Sequence, residues 1–172
     1  MKLKFFFLLL FLGFGLSSNA QSVTDDIEGY KQYLSNLRKI SQLNSKRIDK
    51  KQVLKDSKNK QNPERYIDFM LIRYEHSEVI IQANVYLHCV GVVEELKSFK
   101  SNAIVNDAIS MFSATANLAE KRIQELSQSK ELHLQAFQLK YGYPELVNIS
   151  NYLRDDEQEL SKQFGLIINF NE

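Results

Sequence analysis

One carboxylate stands inside the longest apolar pattern of this chain. At about 100° per residue, Ile67, Met70, Leu71, Tyr74, Ile81, Val85, Cys89, Val92, Leu96 and Phe99 share one helical stripe, and Glu78 falls between Tyr74 and Ile81 on it. A carboxylate among apolar side chains needs donors, a counter-charge or a raised pKa, and perturbed carboxylates cluster at functional sites. His88 lies at the edge of the same stripe, about three turns on, too far to form an acid–base dyad with Glu78. Glu78, with Tyr74, Tyr86 and His88 nearby, is the candidate ligand or polar-core site. A plainer account is a Tyr, Lys or Arg from another helix pairing with Glu78, or a stripe open to solvent at that level.

Other chemistry-bearing types are sparse. His76 and His88 stand 12 positions apart, about 120° around a helix, and cannot share a metal from one face. Glu-x-x-His pairs, His-Glu-x-x-His and Cys-x-x-Cys are all absent. His133 and Met111 have the types of a haem ligand pair, but nothing in their spacing selects that role. No serine has a Gly-x-Ser-x-Gly setting and no glycine-rich phosphate loop exists. Asn148-Ile149-Ser150 matches a glycosylation acceptor, inside an apolar helical pattern where the match has low specificity. Cys89, the single cysteine, reads as a small buried hydrophobe. These residues call for no catalyst, cofactor or metal, and the expectation is a non-enzymatic protein.

The strongest charge asymmetry is the basic run Lys46, Arg47, Lys50, Lys51, Lys55, Lys58 and Lys60, offset by Asp49 and Asp56. Such a run suits contact with an anionic surface, whether lipid, cell-wall polymer or an acidic partner. Its charges spread around the circumference with few large apolar residues between them, which disfavours a membrane-lying helix. A solvated helix end leading into a loop is the simpler reading.

The elements that must position these residues are helices. Only two prolines occur, and apolar residues recur at helical spacing almost throughout. A first helix is expected from a Thr24 cap, with Asp25, Asp26 and Glu28 in its first turn and Ile27, Tyr30, Leu34, Leu37 and Ile40 inside. Residues 55–63 read as a loop. A second helix runs from Pro63, behind an Asn62 cap, to about Phe99. It carries a second apolar stripe with Phe69, Ile72, Val79, Ile80, Ala83, Leu87 and Val90, so it is either central or part of an oligomer interface. A third follows Asn102 to Tyr141, either as one long helix or interrupted at Ser127-Gln128-Ser129. A fourth spans Pro144 to Phe164, closed by Gly165, and the apolar tail 166–170 either docks or pairs as a strand. The fold class is all-α: an antiparallel, up-down bundle of about four long helices.

Ahead of the bundle, Lys2 and Lys4 precede an apolar run from Phe5 to Leu16, and Ser18-Asn19-Ala20 places small residues at −3 and −1. This is the order of a cleavable signal peptide, and its run of about 12 residues is well short of a membrane-spanning helix. Scission between Ala20 and Gln21 is expected, leaving one domain over 21–172 that is periplasmic or secreted. The full chain has 22 Lys+Arg against 21 Asp+Glu. Loss of Lys2 and Lys4 leaves 20 against 21, a net charge of −1, which argues against a nucleic-acid partner. No later stretch is expected to span a membrane. The function expected is that of an exported bundle acting through protein contacts, with a partner or with itself. The alternative is a small-ligand binder centred on Glu78.

Overall fold

The computed structural model describes the backbone from Ala20 to Ile168 and the side chains from Val23 onward. The leader expected over residues 1–20 lies outside that range except for Ala20, whose backbone, like that of Gln21, is helical. Among the described residues there are five α-helices, a 3-10 turn at Lys46–Ile48, and no strand. The helices are α1 (Ala20–Ser45), α2 (Lys50–Ser57), α3 (Pro63–Leu96), α4 (Ala103–Tyr141) and α5 (Tyr143–Phe164).

Local chemistry sets most of the boundaries. Asn62 accepts from the Arg65 N–H at 3.0 Å, Pro63 occupies the first turn where its missing N–H costs nothing, and α3 follows. Asn102 accepts from the Val105 N–H at 2.9 Å and starts α4. Gly142, at φ +88°, lets the chain pass from α4 to α5 through one residue. Gly165 adopts the left-handed cap conformation, its N–H donating to the Ser161 carbonyl at 2.9 Å.

Two boundaries differ from the sequence expectation. First, α1 is already helical at Ala20, so Thr24 is interior and Asp25, Asp26 and Glu28 lie beyond the first turn. No glycine or proline separates Ala20 from Thr24, so nothing forces a start there. Second, the loop expected over 55–63 shrinks to 58–62 because α2 precedes it. Asp49 caps α2, accepting from the Gln52 N–H at 3.0 Å, and Val53 and Ser57, four apart, bury one face. Of the two forms open to the third helix the unbroken one is found, α4 running through Ser127-Gln128-Ser129. Those residues have modest helix propensity but break nothing, and the Ser129 hydroxyl is engaged sideways with Glu75 at 2.6 Å.

The doubly apolar α3 is the central element, in contact with α1, α2, α4 and α5. Of its second stripe Ile72, Ile80 and Ala83 are buried within the chain, whereas Val90 is exposed. By length and composition α3 could also cross a membrane, contrary to the expectation that no later stretch would; half of its most apolar window is buried inside the protein. Its apolar ends belong to separate cores. The larger core joins Ile27, Leu34 and Leu37 of α1 with Ile81, Val85, Cys89, Val92 and Leu96 of α3 and Val105, Phe112 and Ala119 of α4. Burying side chains such as Phe112 and Leu37 stabilises by about 1.5–3 kcal/mol each. The smaller core joins Ile72, Phe137, Ile149 and Leu153. The described part of the tail docks rather than pairing as a strand. Leu166 is buried, and the Asn84 amide both donates to the Ile167 carbonyl and accepts its N–H, each at 2.9 Å.

Candidate functional site

Between the two cores α3 turns polar. Arg73, Tyr74, Glu75, His76, Ser77 and Glu78 are consecutive and cover more than a full turn, so they form a belt facing every neighbouring helix. Glu78 is buried and faces α1, where it accepts from Ser41 Oγ at 2.6 Å and Asn44 Nδ2 at 3.0 Å; Gln82 Nε2 adds a third donor at 2.8 Å. Its donors are all neutral, and among the described residues no cation lies within ion-pair distance. Tyr74 contributes its backbone carbonyl, which accepts from Asn44 Nδ2 at 3.2 Å. Asn44 Oδ1, by contrast, is buried without a donor, a cost that native folds rarely leave unmet.

The next faces of the belt are charged. Asp156 of α5, buried, is gripped bidentately by Arg73, with Arg47 at 4.0 Å behind. That hydrogen bonding raises the Arg73 pKa further, against the opposing effect of burial. His76 Nε2 meets Glu157 Oε1 at 2.9 Å and its Nδ1 lies 3.4 Å from Lys130 Nζ. An ammonium only donates, so Nδ1 accepts and the Nε2–H donates to Glu157. Burial, then the charge of Lys130, lowers the His76 pKa, with Glu157 and Asp156 opposing them.

Glu75 faces α4, held by Ser129 Oγ at 2.6 Å and His133 Nδ1 at 2.8 Å. Serine, histidine and glutamate are the types of a hydrolase triad, but the order is wrong for one. The acid sits in the middle and takes the serine proton itself, so no imidazole is placed to activate the hydroxyl. The belt ties four elements to α3 through groups that hydrogen-bond one another, with Asn44 Oδ1 the exception.

His88 is separate from the belt. Its Nε2–H donates to the Tyr30 carbonyl at 3.0 Å, and it packs among the rings of Tyr30, Tyr33 and Phe112. Burial lowers its pKa. The three candidates Glu78, Tyr74 and His88 therefore do not form one site. His133 and Met111 share α4 at about 33 Å separation and cannot ligate one iron. Among the described residues no group of three or more His, Cys, Asp or Glu converges as a metal site. Cys89 is fully buried, and burial pushes its thiol up to about 11.

The basic candidates divide. Arg47, on the 3-10 turn, leans into the belt, 3.5 Å from Ser77 Oγ. Lys46, Lys50, Lys51 and Lys55 are exposed. Between α3, α4, α5 and the 58–62 loop lies an open groove of about 450 Å³. It is lined by Tyr66, Phe69, Phe137, Ile149 and Tyr152, by the amides of Asn59, Gln61, Asn62 and Asn148, and by the charged Lys60, Arg65 and Glu145, the last two paired at 2.7 Å. The second cavity, about 210 Å³ near His133 and Lys140, also lies away from Glu78.

Sequence reasoning missed most of the belt and one surface. The run Arg73–Glu78 was the available signal for the belt: five titratable residues inside the most apolar helix. The surface is the outer face of α4, where Ile104, Met111, Leu118, Leu132 and Leu139 are all exposed. Their spacing is seven residues, with Glu125 filling the remaining position of the series. Comparison with protein-family models, curated proteins and solved structures finds no match to this chain.

Proposed function

We propose that this chain is an exported, non-enzymatic helical-bundle protein that acts through protein contacts in the cell envelope or outside the cell. The observation that carries the reading is the α4 stripe. Leu118, Leu132 and Leu139 are 70%, 65% and 89% exposed, although each would stabilise the molecule if covered. Scattered exposed leucines need no explanation, but five large apolar residues recurring at seven-residue spacing form a shallow row winding along α4 that a neighbouring helix can cover. The leader supports export. The short links at 97–102 and at Gly142 support an up-down, antiparallel arrangement of the four long helices, which leaves α4 one uncovered side. Lys46, Lys50, Lys51 and Lys55 offer a second, weaker surface for an anionic partner.

The test is a cross-linking capture from the envelope fraction combined with light scattering, for the wild type and a Leu118→Lys/Leu132→Lys variant. Wild-type capture or self-association that the variant abolishes is the expected result. A strict monomer that captures nothing overturns the reading.

A second reading, a small-ligand binder, is favoured by the groove rather than by Glu78. Its aromatic side chains beside amides and the charged Lys60, Arg65 and Glu145, at about 450 Å³, suit a ligand with one apolar and one polar face. A ligand retained in native mass spectrometry and lost on Tyr66→Ala/Tyr152→Ala would carry it.

A further inference from the structure

We propose that the occupant of the α4 stripe is a second copy of this chain, lying antiparallel along the same stripe; this rests on the protein-contact reading above. The stripe reads nearly the same in both directions. Its midpoint falls between Lys121 and Arg122, and reversal about that point sets Ile104 against Leu139, Met111 against Leu132 and Leu118 against Glu125. All five apolar residues then lie in one seam, about 52 Å from Ile104 to Leu139. Ala114 and Ala136 flank it and allow the helix backbones to approach.

The Glu125 carboxylate favours one orientation, with reversal also setting Lys121 level with Arg122 of the other copy. A parallel pair places Glu125 directly against its own copy, two like charges inside an apolar seam. The antiparallel pair moves the two Glu125 carboxylates about 10 Å apart along the axis. Each then lies one turn from Lys121 and Arg122 of the other copy. Those side chains already reach Glu125 within one chain, at 3.9 and 3.5 Å, so they need only share it. Antiparallel pairing also sets the positive end of each α4 beside the negative end of the other. A strict seven-residue repeat drifts by about 20° per heptad on a straight helix, so the two copies wrap with a left-handed crossing.

Disulfide trapping with the full chain tests the geometry, since the buried Cys89 does not compete. Ile104→Cys and Leu139→Cys are made separately and then mixed under mild oxidation. The expected result is a mixed disulfide dimer from the mixture and monomer from each variant alone. Glu125→Leu, which removes the charge that selects the orientation, is expected to tighten association by about tenfold and to let parallel pairs form. Self-cross-linking of Ile104→Cys overturns the antiparallel geometry. Sedimentation as a monomer up to about 100 μM, far weaker than the roughly micromolar affinity of a functional pair, overturns self-pairing altogether. If that monomer still captures a different protein and loses it on Leu118→Lys, only the self-pairing fails. If capture is indifferent to Leu118→Lys, the protein-contact reading fails with it.

Discussion

The belt on α3 and the stripe on α4 invert the ordinary arrangement of a helical protein in opposite senses. On α3 the polar residues Glu75, Ser77 and Glu78 are buried, while on α4 the apolar residues Leu118, Leu132 and Leu139 are exposed. The difference lies in completion. Each charged group of the belt has a partner on another element of the same chain: Asp156 for Arg73, Ser129 and His133 for Glu75, Ser41 and Asn44 for Glu78. Among the described residues the stripe has none. A polar group that is buried and satisfied contributes register and specificity to a fold, as a single polar layer does in a coiled coil. An apolar series left outside contributes little to the monomer, so its energy is available to an intermolecular contact. The contrast separates what the molecule uses to hold itself together from what it offers to others.

The largest break in that contrast comes from the belt. Arg73→Met removes the bidentate partner of the buried Asp156 and leaves only Arg47, at 4.0 Å, to answer its charge. Uncoupling a buried pair in this way costs about 3–5 kcal/mol, and the partial exposure of Arg73 places the expectation near the lower end. Urea unfolding measures it; a loss below about 1 kcal/mol would show that the pair is no more than a surface bridge. Glu78→Ala is expected to cost somewhat less, about 2 kcal/mol. It strands the donors of Ser41 and Asn44 but removes a buried charge at the same time. A Glu78→Ala variant as stable as the parent would mean that water reaches those donors.

Titration gives a smaller effect with a definite sign. The folded-state pKa values of His76 and His88 lie below the ordinary value, chiefly through burial. The unfolded chain therefore binds the proton first as pH falls. Stability is fully present above the unfolded histidine pKa of about 6.5 and declines as pH drops through it toward the folded values. His88→Gln keeps a donor for the Tyr30 carbonyl without the titration, so its unfolding midpoint is expected to vary less between about pH 7 and pH 5.5. An unchanged pH slope in that variant would show that His88 is hydrated.

Parts of this contrast were readable in the sequence and parts were not. Asn62-Pro63, Asn102, Gly142 and Gly165 marked helix ends because capping is local chemistry, settled within four residues. The Asp49 cap escaped notice because basic residues surround it. Glu78 stood out because it broke a stripe. Glu75, His76 and Arg73 did not, because their partners lie 54 to 83 residues away and only packing brings them together. Arg47 was grouped with its lysine neighbours by charge, whereas its position on the 3-10 turn points it at Ser77. The α4 stripe was hidden by its own helix. Ile104 and Met111 each precede an inner-face residue, Val105 and Phe112, and spacing alone does not say which of two adjacent series is covered.

The smallest expected effect is also the most discriminating. Leu139→Gln and Leu118→Gln change side chains that are mostly solvated, so each should alter monomer stability by no more than about 0.5 kcal/mol. Removing a contact from an apolar seam, by contrast, weakens association by about tenfold for each 1.4 kcal/mol lost. Measured on the same samples, urea midpoints should stay level while the dimer dissociation constant rises. Arg73→Met should do the reverse as long as the fold persists, lowering the midpoint without acting on the seam. If Leu118→Gln instead lowers the urea midpoint at protein concentrations where the chain is monomeric, then Leu118 is covered from within. The stripe would then belong, like the belt, to the structure that holds the molecule together.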